Sequence, residues 1–432
     1  ADGGGSGLAS CGPDATIISE GVAQTALGTA TDNAGNSTSA MSSPAVNIDK
    51  TKPTITGGPT TAPNTEGWYT SPVDISWDCA DSLSQIDTCT EASTLSTEGA
   101  NQSVSGTAVD KAGNTQHASA TVSIDLTGPE ISGAPNAAAN GNGWYKAPVT
   151  ITWACADDVS SITSCPDDQA VSTDGANQTT SGSATNGAGV TATATSKPFN
   201  LDQVPPAISG TPSGETGTNG WYTGPVTIDW DCSDELSTID TCSSPSTLSS
   251  DGTNQSASGT ATDKAGNTTT VASPAVNIDQ TLPVVTYSGN QGTYTLDQTV
   301  NIRCTAADAL SGLATTTCAD ITGPASDFVD GLNLFSASAA DNAGNVSTAS
   351  TSFTVDVTAS GLCALTKEYV NNPRLGNQLC APLQLAQMGE AMHNRRLTSS
   401  AMNSYILLVT TQRGRSLTIT EANTLISLAR SL

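Results

Sequence analysis

Four cysteine pairs constrain this 432-residue chain more than any other feature: Cys79/Cys89, Cys155/Cys165, Cys232/Cys242 and Cys304/Cys318. Their first members follow one another at a nearly constant interval. Around each pair the same words recur. An Asp and a Pro open the unit, an alternating apolar run leads to the first Cys, and Gly-Thr-Ala and Asp-x-Ala-Gly-Asn close it, with local departures. A fixed period of this kind means a tandem array of small units. Each unit has a thin core, because aromatic residues make up only 4% of the chain and charged residues 12%. Domains of this size bury only about 60–65% of their unfolded surface and commonly need a staple. Closing a short loop of this kind removes on the order of 3 kcal/mol of denatured-state entropy. The regular pairs predict disulfides and an oxidising compartment. Zinc needs clustered thiolates with His support, and neither His117 nor His393 lies near a pair.

The run Val73, Ile75, Trp77, Cys79 alternates with Asp74, Ser76 and Asp78, a period of two that sends the first set inward. Val149-Ile151-Trp153-Cys155 and Val226-Ile228-Trp230-Cys232 repeat it, while the fifth unit puts Ile302 in the Trp place. Such a Trp is expected to pack on the disulfide. Thr-, Ser- and Val-rich segments follow, broken by Gly and Asn clusters, which reads as an all-β sandwich. Cys11 precedes Gly28 and Asp32 at the same spacings by which Cys89 precedes Gly106 and Asp110. Cys11 is therefore read as the second member of a pair whose first would fall at or before residue 1. The expectation is a truncated chain that starts inside a repeat and leaves Cys11 unpaired.

The pattern Asp-x-Thr-x-Pro, Gly-Trp-Tyr-x-x-Pro-Val-x-Ile-x-Trp-x-Cys, Gly-Thr-Ala-x-Asp-x-Ala-Gly-Asn resembles the tandem immunoglobulin-like repeats of bacterial secreted and surface proteins. The expected fold class is mainly β: tandem immunoglobulin-like β-sandwiches in a row, plus a small all-α C-terminal bundle. The expected units are a partial repeat at 1–49, full repeats at 50–125, 126–202, 203–280 and 281–357, and a helical domain at 358–432. In line, the sandwiches would form a rod of about 120–170 Å. Unlike antibody-type domains, whose disulfide joins distant strands, these pairs close a local loop.

Two acid motifs invite a calcium reading, since that cation takes several carboxylate and carbonyl oxygens. One is Asp-x-Ala-Gly-Asn at Asp32–Asn36, Asp110–Asn114, Asp263–Asn267 and Asp341–Asn345. The bland reading is a glycine-dependent turn capped by its own Asp. The third repeat favours the turn, because there the segment is Asn186-Gly187-Ala188-Gly189-Val190. The other motif is the boundary acid, Asp49, Asp125, Asp202, Asp279 and Asp356, near a Pro at every joint but the last. Asp49, Asp125, Asp202 and Asp279 could share calcium with Asp81, Asp157, Asp234 or Asp308; the alternative is a proline-stiffened connector with a solvated acid. The reading adopted is no cofactor, with calcium at the joints as the candidate exception.

Trp68-Tyr69, Trp144-Tyr145 and Trp221-Tyr222 place one ring of each pair outward, for sugar stacking or, more simply, for packing. Sequons at Asn101, Asn177 and Asn254 are common in Ser/Thr-rich turns.

From about Ser360 the repeat words vanish. Apolar spacing predicts helices over 379–393, 400–411 and 420–432, with Thr418 or Thr420 as an N-cap and Gly414 as a break. Cys363 and Cys380 would staple the start of a three- or four-helix bundle. Asn403-Ser404-Tyr405-Ile406, Gln412-Arg413-Gly414 and Leu425-Ile426 resemble the FIMAH-type helical module of bacterial secreted proteins, which implies a non-catalytic accessory role. Of the chain's 14 Lys/Arg and 40 Asp/Glu, seven and three lie in this C-terminal domain, net +4, which leaves the repeats strongly acidic. Arg395, Arg396, Arg413 and Arg415 are candidate interaction residues for an acidic polymer or another copy, against the alternative of a solvated surface.

The repeats' acidity excludes phosphate-driven nucleic-acid binding. A membrane-spanning helix needs a run of about 20 apolar residues, and the chain has none. Two histidines in separate contexts leave nucleophilic catalysis without a base. Adjacent acids such as Asp157-Asp158 and Asp167-Asp168 read as solvated surface. The expectation is a non-enzymatic, extracellular or cell-surface structural protein: stalk, adhesin or filament component. Its partners would be other copies, cell-envelope components or a surface polysaccharide. The alternative is the non-catalytic C-terminal region of a secreted hydrolase.

Overall fold

A computed structural model describes residues 5–432; the first four residues of the 1–49 unit, and any partner for Cys11 before them, lie outside the described residues. The chain is mainly β, with immunoglobulin-like sandwiches in tandem and four helices at the end. It divides into two compact units, one reaching to Val204 together with Lys264–Gly266, the other made of Pro205–Asp263 and Asn267–Leu432.

The second repeat shows the plan. One sheet runs in the order Ser93–Leu95, Val73–Ala80, Thr54–Pro59, and the other Trp68–Tyr69, Thr115–Ile124, Gly99–Asp110, Ile86–Cys89. All pairings are antiparallel except the parallel contact of Trp68–Tyr69 with Thr115–Ile124. Alternation fills the space between: Val73, Ile75, Val122 and Ile124 are buried, with Tyr69 and Ala120. Of the Trp-Tyr pair it is Tyr69 that turns in, its hydroxyl donating to the Thr61 carbonyl at 2.8 Å, while Trp68 is half-buried. The Cys79–Cys89 disulfide is local in sequence, yet its two cysteines stand on different sheets. It therefore ties the two layers together, as a long-range bridge does in an antibody domain.

Disulfides likewise join Cys155 to Cys165, Cys232 to Cys242 and Cys304 to Cys318. Their second cysteines are not equivalent, however regular the pairs look in sequence. Cys89 and Cys242 close the strands Ile86–Cys89 and Ile239–Cys242, whereas Cys165 and Cys318 lie beyond the ends of Ile162–Ser164 and Leu313–Thr316. In the third repeat the cause is Pro166. After Cys89 and Cys242, the Thr90 and Ser243 N–H groups continue the ladder to the Thr107 and Thr260 carbonyls. Pro166 stands in their place and has no N–H to donate. In the fifth repeat it is Thr316 that faces Ala339, as Cys89 faces Ala108. Cys318 is thus displaced past the place of Cys89, and its disulfide spans 14 residues in sequence, against 10 in the repeats before it.

Trp77 sits between the sheets in a way that strand alternation does not announce. A Cβ placed on Gly57 would overlap its ring, and one on Gly106 would lie 2.5 Å from it. Trp230 is held in the same way by Gly210 and Gly259. The glycine of Gly-Thr-Ala is thus a seat for an indole. In the fifth repeat, where Ile302 replaces the Trp, the place of Gly106 carries Ala337, and Tyr287 faces Cys304 where Ile55 faces Cys79. Some of the volume lost with the indole is returned by the Ala337 methyl and the larger Tyr287 beside it, as close packing requires.

The sequon asparagines have a backbone reason. Asn101, Asn177 and Asn254 have φ of 51°, 52° and 53°, a left-handed conformation that Asn tolerates better than other side chains. Each sits in a bulge where the following Gln donates back across the turn.

At the C-terminus four helices form: α1, Ala359–Tyr369; α2, Pro373–Ala391; α3, Arg395–Gln412; and α4, Ile419–Ser431. The 11-residue α1 lies outside the ranges expected to be helical. Cys363–Cys380 joins α1 to α2. Thr418 is the N-cap of α4, and its capping box with Glu421 satisfies both ends of the turn. Thr420 lies inside the helix. Leu362 and Leu365 of α1 pack with Leu296, Val355 and Val357, so the bundle and the fifth sandwich share one apolar core.

Candidate functional site

The boundary acids and the Asp-x-Ala-Gly-Asn turns, separate in the sequence, meet in the structure. Asp49, Asp81 and Asp110 place one carboxylate oxygen each within 4.8 Å of one another, and Asp279, Asp308 and Asp341 do the same in the second unit. One acid comes from the connector, one from just after the first Cys, and one from the closing turn. The turn explains the arrangement. Gly113 at φ 89° lets the chain reverse, and Asp110 Oδ1 accepts the Asn114 N–H at 2.8 Å. The Asn114 side chain then donates to Asp110 Oδ2 at 2.8 Å and to the connector carbonyl of Thr51 at 3.1 Å. Asn345 repeats this with Asp341 Oδ2 at 2.8 Å and the Asp279 carbonyl at 2.9 Å. The final Asn is therefore a clasp between the connector and the unit that follows it.

Asp81 is fixed by its own loop. Burial pushes its carboxyl up, but the N–H groups of Leu83, Ser84 and Gln85, all donating to Oδ1, outweigh it and hold the carboxyl below the ordinary range. Asp49 accepts the Ser84 N–H at 3.1 Å, and Asp279 accepts that of Ser311 at the same distance. Two unit charges 4.8 Å apart repel by about 3–4 kcal/mol at an effective dielectric near 20. Asp110 in the first trio and Asp279 and Asp341 in the other are almost wholly buried, and a cation within either trio would remove that penalty. An all-oxygen donor set with this spacing suits calcium, whose ligands stand at about 2.3–2.6 Å, and not zinc, which prefers N and S.

Asp125, one of the four boundary acids expected to hold metal, has different company. In its joint Asn186 stands in the third acid's place. The Asn186 amide donates to Asp125 Oδ2 at 2.9 Å, to the Thr127 carbonyl at 2.9 Å and to Asp157 Oδ2 at 3.2 Å. A hydrogen-bonding NH₂ thus occupies the space between two carboxylates. Burial pushes the Asp157 carboxyl up as well, and the Ser160 N–H, the Asn186 amide and the Val159 N–H together bring it below the ordinary range. Asp202 is fully buried and accepts the Val204 N–H at 3.1 Å.

A second contact joins consecutive repeats. The loop before a Trp-Tyr strand reaches the closing turn of the next unit. Asn64 donates to the Gly187 carbonyl at 2.9 Å, and Thr218 and Asn219 donate to that of Asn342 at 2.8 and 3.1 Å. The Ala of the receiving turn is buried by this contact, Ala188 to 3% exposure and Ala343 to 0%. Gly217 is required there, since a Cβ on it would collide with the Ala343 carbonyl oxygen. The sequence shows these turns but not their partners.

The four arginines named as candidate interaction residues are all exposed and stand in two pairs. Arg395 and Arg396 begin α3, and Arg413 and Arg415 follow its last residue. An 18-residue helix separates its ends by about 27 Å. Nearness to one helix in sequence is not nearness on one surface.

No family model matches the chain, and no curated protein matches it either. Among solved structures, it is similar to the N-terminal eight Ig domains of Down syndrome cell adhesion molecule (10% identity, TM-score 0.25, 76% of this chain and 58% of that one). It is also similar to a Ca²⁺-stabilized adhesin that helps an Antarctic bacterium reach out and bind ice (14%, 0.27, 71% and 100%) and to the protocadherin gamma B4 extracellular domain (11%, 0.30, 78% and 72%). This chain spans 58% of the first of these. With TM-scores this low, no property of those proteins is carried over.

Proposed function

We propose that this protein is a non-enzymatic, extracellular structural element, a series of disulfide-stapled sandwiches that holds something away from a surface, with calcium stiffening the joints. The observation that carries the reading is the carboxylate trio, built alike from connector, loop and turn in the second and fifth repeats. A trio spent on a connector rather than in a cleft serves geometry between units. Five disulfides support an oxidising, extracellular setting. The helical end serves as an accessory cap or attachment point, the role its resemblance to FIMAH-type modules implies.

Calcium titration of the whole chain by calorimetry tests the joints. Binding in the range of extracellular modules, with dissociation constants on the order of 0.1–1 mM, is the expected result. Asp110→Asn with Asp341→Asn should remove those sites. Small-angle scattering with calcium and with chelator then reads stiffness, and a narrower distribution of maximum dimension with calcium supports the stalk. No calcium binding, or binding that the double variant leaves unchanged, would remove the joint from the proposal.

A further inference from the structure

The fifth repeat is filled with different side chains from its neighbours. Three of the chain's four Phe lie in it, Phe328, Phe335 and Phe353. Tyr287 faces Cys304 where Ile55 faces Cys79 and Ile208 faces Cys232. Phe335 stands two residues before Ala337, the place that Val104 and Ala257 hold before Gly106 and Gly259. Phe353, at 1% exposure, stacks on Phe335 with ring centroids 5.7 Å apart and planes 8° from parallel. Phe328 meets both rings near the perpendicular, at 5.2 Å from Phe353 and 6.2 Å from Phe335. It is brought there by the 3₁₀ turn Ala325–Asp327, whose first N–H donates to the Gln298 carbonyl at 2.8 Å.

A closed core would bury all of these rings, and this one does not. Tyr287, Phe328 and Phe335 are half-buried and line a cavity of about 360 Å³ that opens to solvent. Asn333 and Ala337, on either side of Phe335 in the alternation, are buried, so Phe335 also points between the sheets. Phe353 covers one of its faces, which leaves the other to the cavity. Among the described residues, Asp320 is the one charged side chain in the wall. Its Oδ1 accepts the Cys304 N–H at 2.8 Å, which fixes the carboxylate in place. The Thr317 hydroxyl, also in the wall, is already engaged by the Ser338 N–H at 2.8 Å. Residues 281–357 hold one basic residue, Arg303, against seven Asp. Arg303 is exposed beside the buried Ile302, on the opposite face of its strand.

We infer that this cavity binds an alkylated ammonium group of the choline type. Tyr287, Phe328 and Phe335 supply the ring contacts and Asp320 the counter-charge. The sign of that charge rules out an anion. A metal ion needs several oxygen ligands and meets a single carboxylate. Sodium or a bare ammonium gives up a strongly held water shell on entry. An alkylated cation has no such shell: its charge is met by the carboxylate and the ring quadrupoles, and its methyl groups need no hydrogen bonds. The site lies wholly within the fifth repeat and uses none of the carboxylates of the calcium joints, so the two proposals fail separately.

The test titrates the whole chain by calorimetry with choline and with its neutral carbon isostere, dimethylbutanol. Excess calcium is present throughout, to screen the acidic repeats whether or not the joints bind it. Choline should bind with a dissociation constant on the order of 1 mM, and the isostere at least about tenfold more weakly. Asp320→Asn keeps an Oδ1 acceptor for the Cys304 N–H and should weaken choline about tenfold while leaving the isostere unchanged. Phe335→Leu keeps an apolar side chain without a ring and should weaken choline by a similar factor. Because Phe335 also packs on Phe353, exchange protection of Gly331–Asp341 checks that this variant is folded; if it is not, Asp320→Asn carries the test. Sedimentation with phosphatidylcholine vesicles, against phosphatidylglycerol vesicles, separates two sources of the group. Binding to the former that Asp320→Asn abolishes assigns a displayed head group, and choline binding without sedimentation assigns a small solute. Equal affinity for choline and its isostere, choline binding that Asp320→Asn leaves unchanged, or no binding at about 10 mM choline would overturn the inference.

Discussion

Replacing Gly259 by Ala should reverse its effect according to what sits opposite it. The new Cβ would lie within 2.6 Å of three carbons of the Trp230 ring, against an ordinary carbon–carbon separation of about 3.5–4.0 Å. The ring cannot retreat freely, because a Cβ on Gly210, across it, would already be 2.8 Å away. Overpacking of this kind costs about 1–3 kcal/mol. Restricting the unfolded chain returns about 0.4–1 kcal/mol, since the backbone at Gly259 is not left-handed. The steric term wins, and the fourth repeat should lose roughly 0.5–2 kcal/mol. In a Trp230→Ile background the clash is gone, so Gly259→Ala should then stabilise, by about 0.4–1 kcal/mol. The fifth repeat already pairs Ile302 with Ala337. A chain of several domains does not unfold in two states, so the assay is hydrogen exchange of the whole chain. Amides of Ser258–Asp263 report, and those of the second repeat serve as internal reference. An equal cost in both backgrounds, or a gain in the presence of Trp230, would refute the idea that this glycine is an indole seat.

Asn186→Asp should convert the third joint into a further carboxylate trio. In chelator the joint loosens, and with calcium the calorimetric stoichiometry rises by one; an unchanged stoichiometry counts against the trio as a cation site. The lowered carboxyls of Asp81 and Asp157 stabilise the fold above their unfolded value of about 3.8, and that contribution is lost as pH falls through the lower folded values. Exchange protection of the Asp81 and Asp157 loops should accordingly decline only below about pH 4, and a decline beginning near pH 6 would contradict it. Thr418→Ala should cost about 1 kcal/mol by opening the α4 capping box, read as faster exchange in Ile419–Ser431, with Thr418→Ser restoring most of it.

Much of this protein is legible without coordinates. The period of the Cys pairs announces an array, and the alternation of Val73, Ile75 and Trp77 announces a strand with one buried face. The turn reading of Asp-x-Ala-Gly-Asn describes its geometry well. The third repeat, which in sequence weighs against metal throughout, is a special case, because an amide there fills the third acid's place. Cys165 and Cys318 look interchangeable with Cys89 as letters, but Pro166 and the shifted register at Thr316 set them beyond their strands. Helix α1 lies outside the expected helices, and its buried face shares a core with Leu296 and Val357 of the sandwich, which the sequence does not show.

Local pattern and spacing determined by themselves the strands, the staples and the caps, because these depend on near neighbours in the chain. Only the tertiary structure decided what faces what. It set an indole between two glycines from different sheets, three acids from connector, loop and turn at one point, and a repeat's loop on the next repeat's turn. Those contacts join residues far apart in the chain, and whether two such groups meet depends on how whole sheets pack, a property that no short stretch of sequence carries.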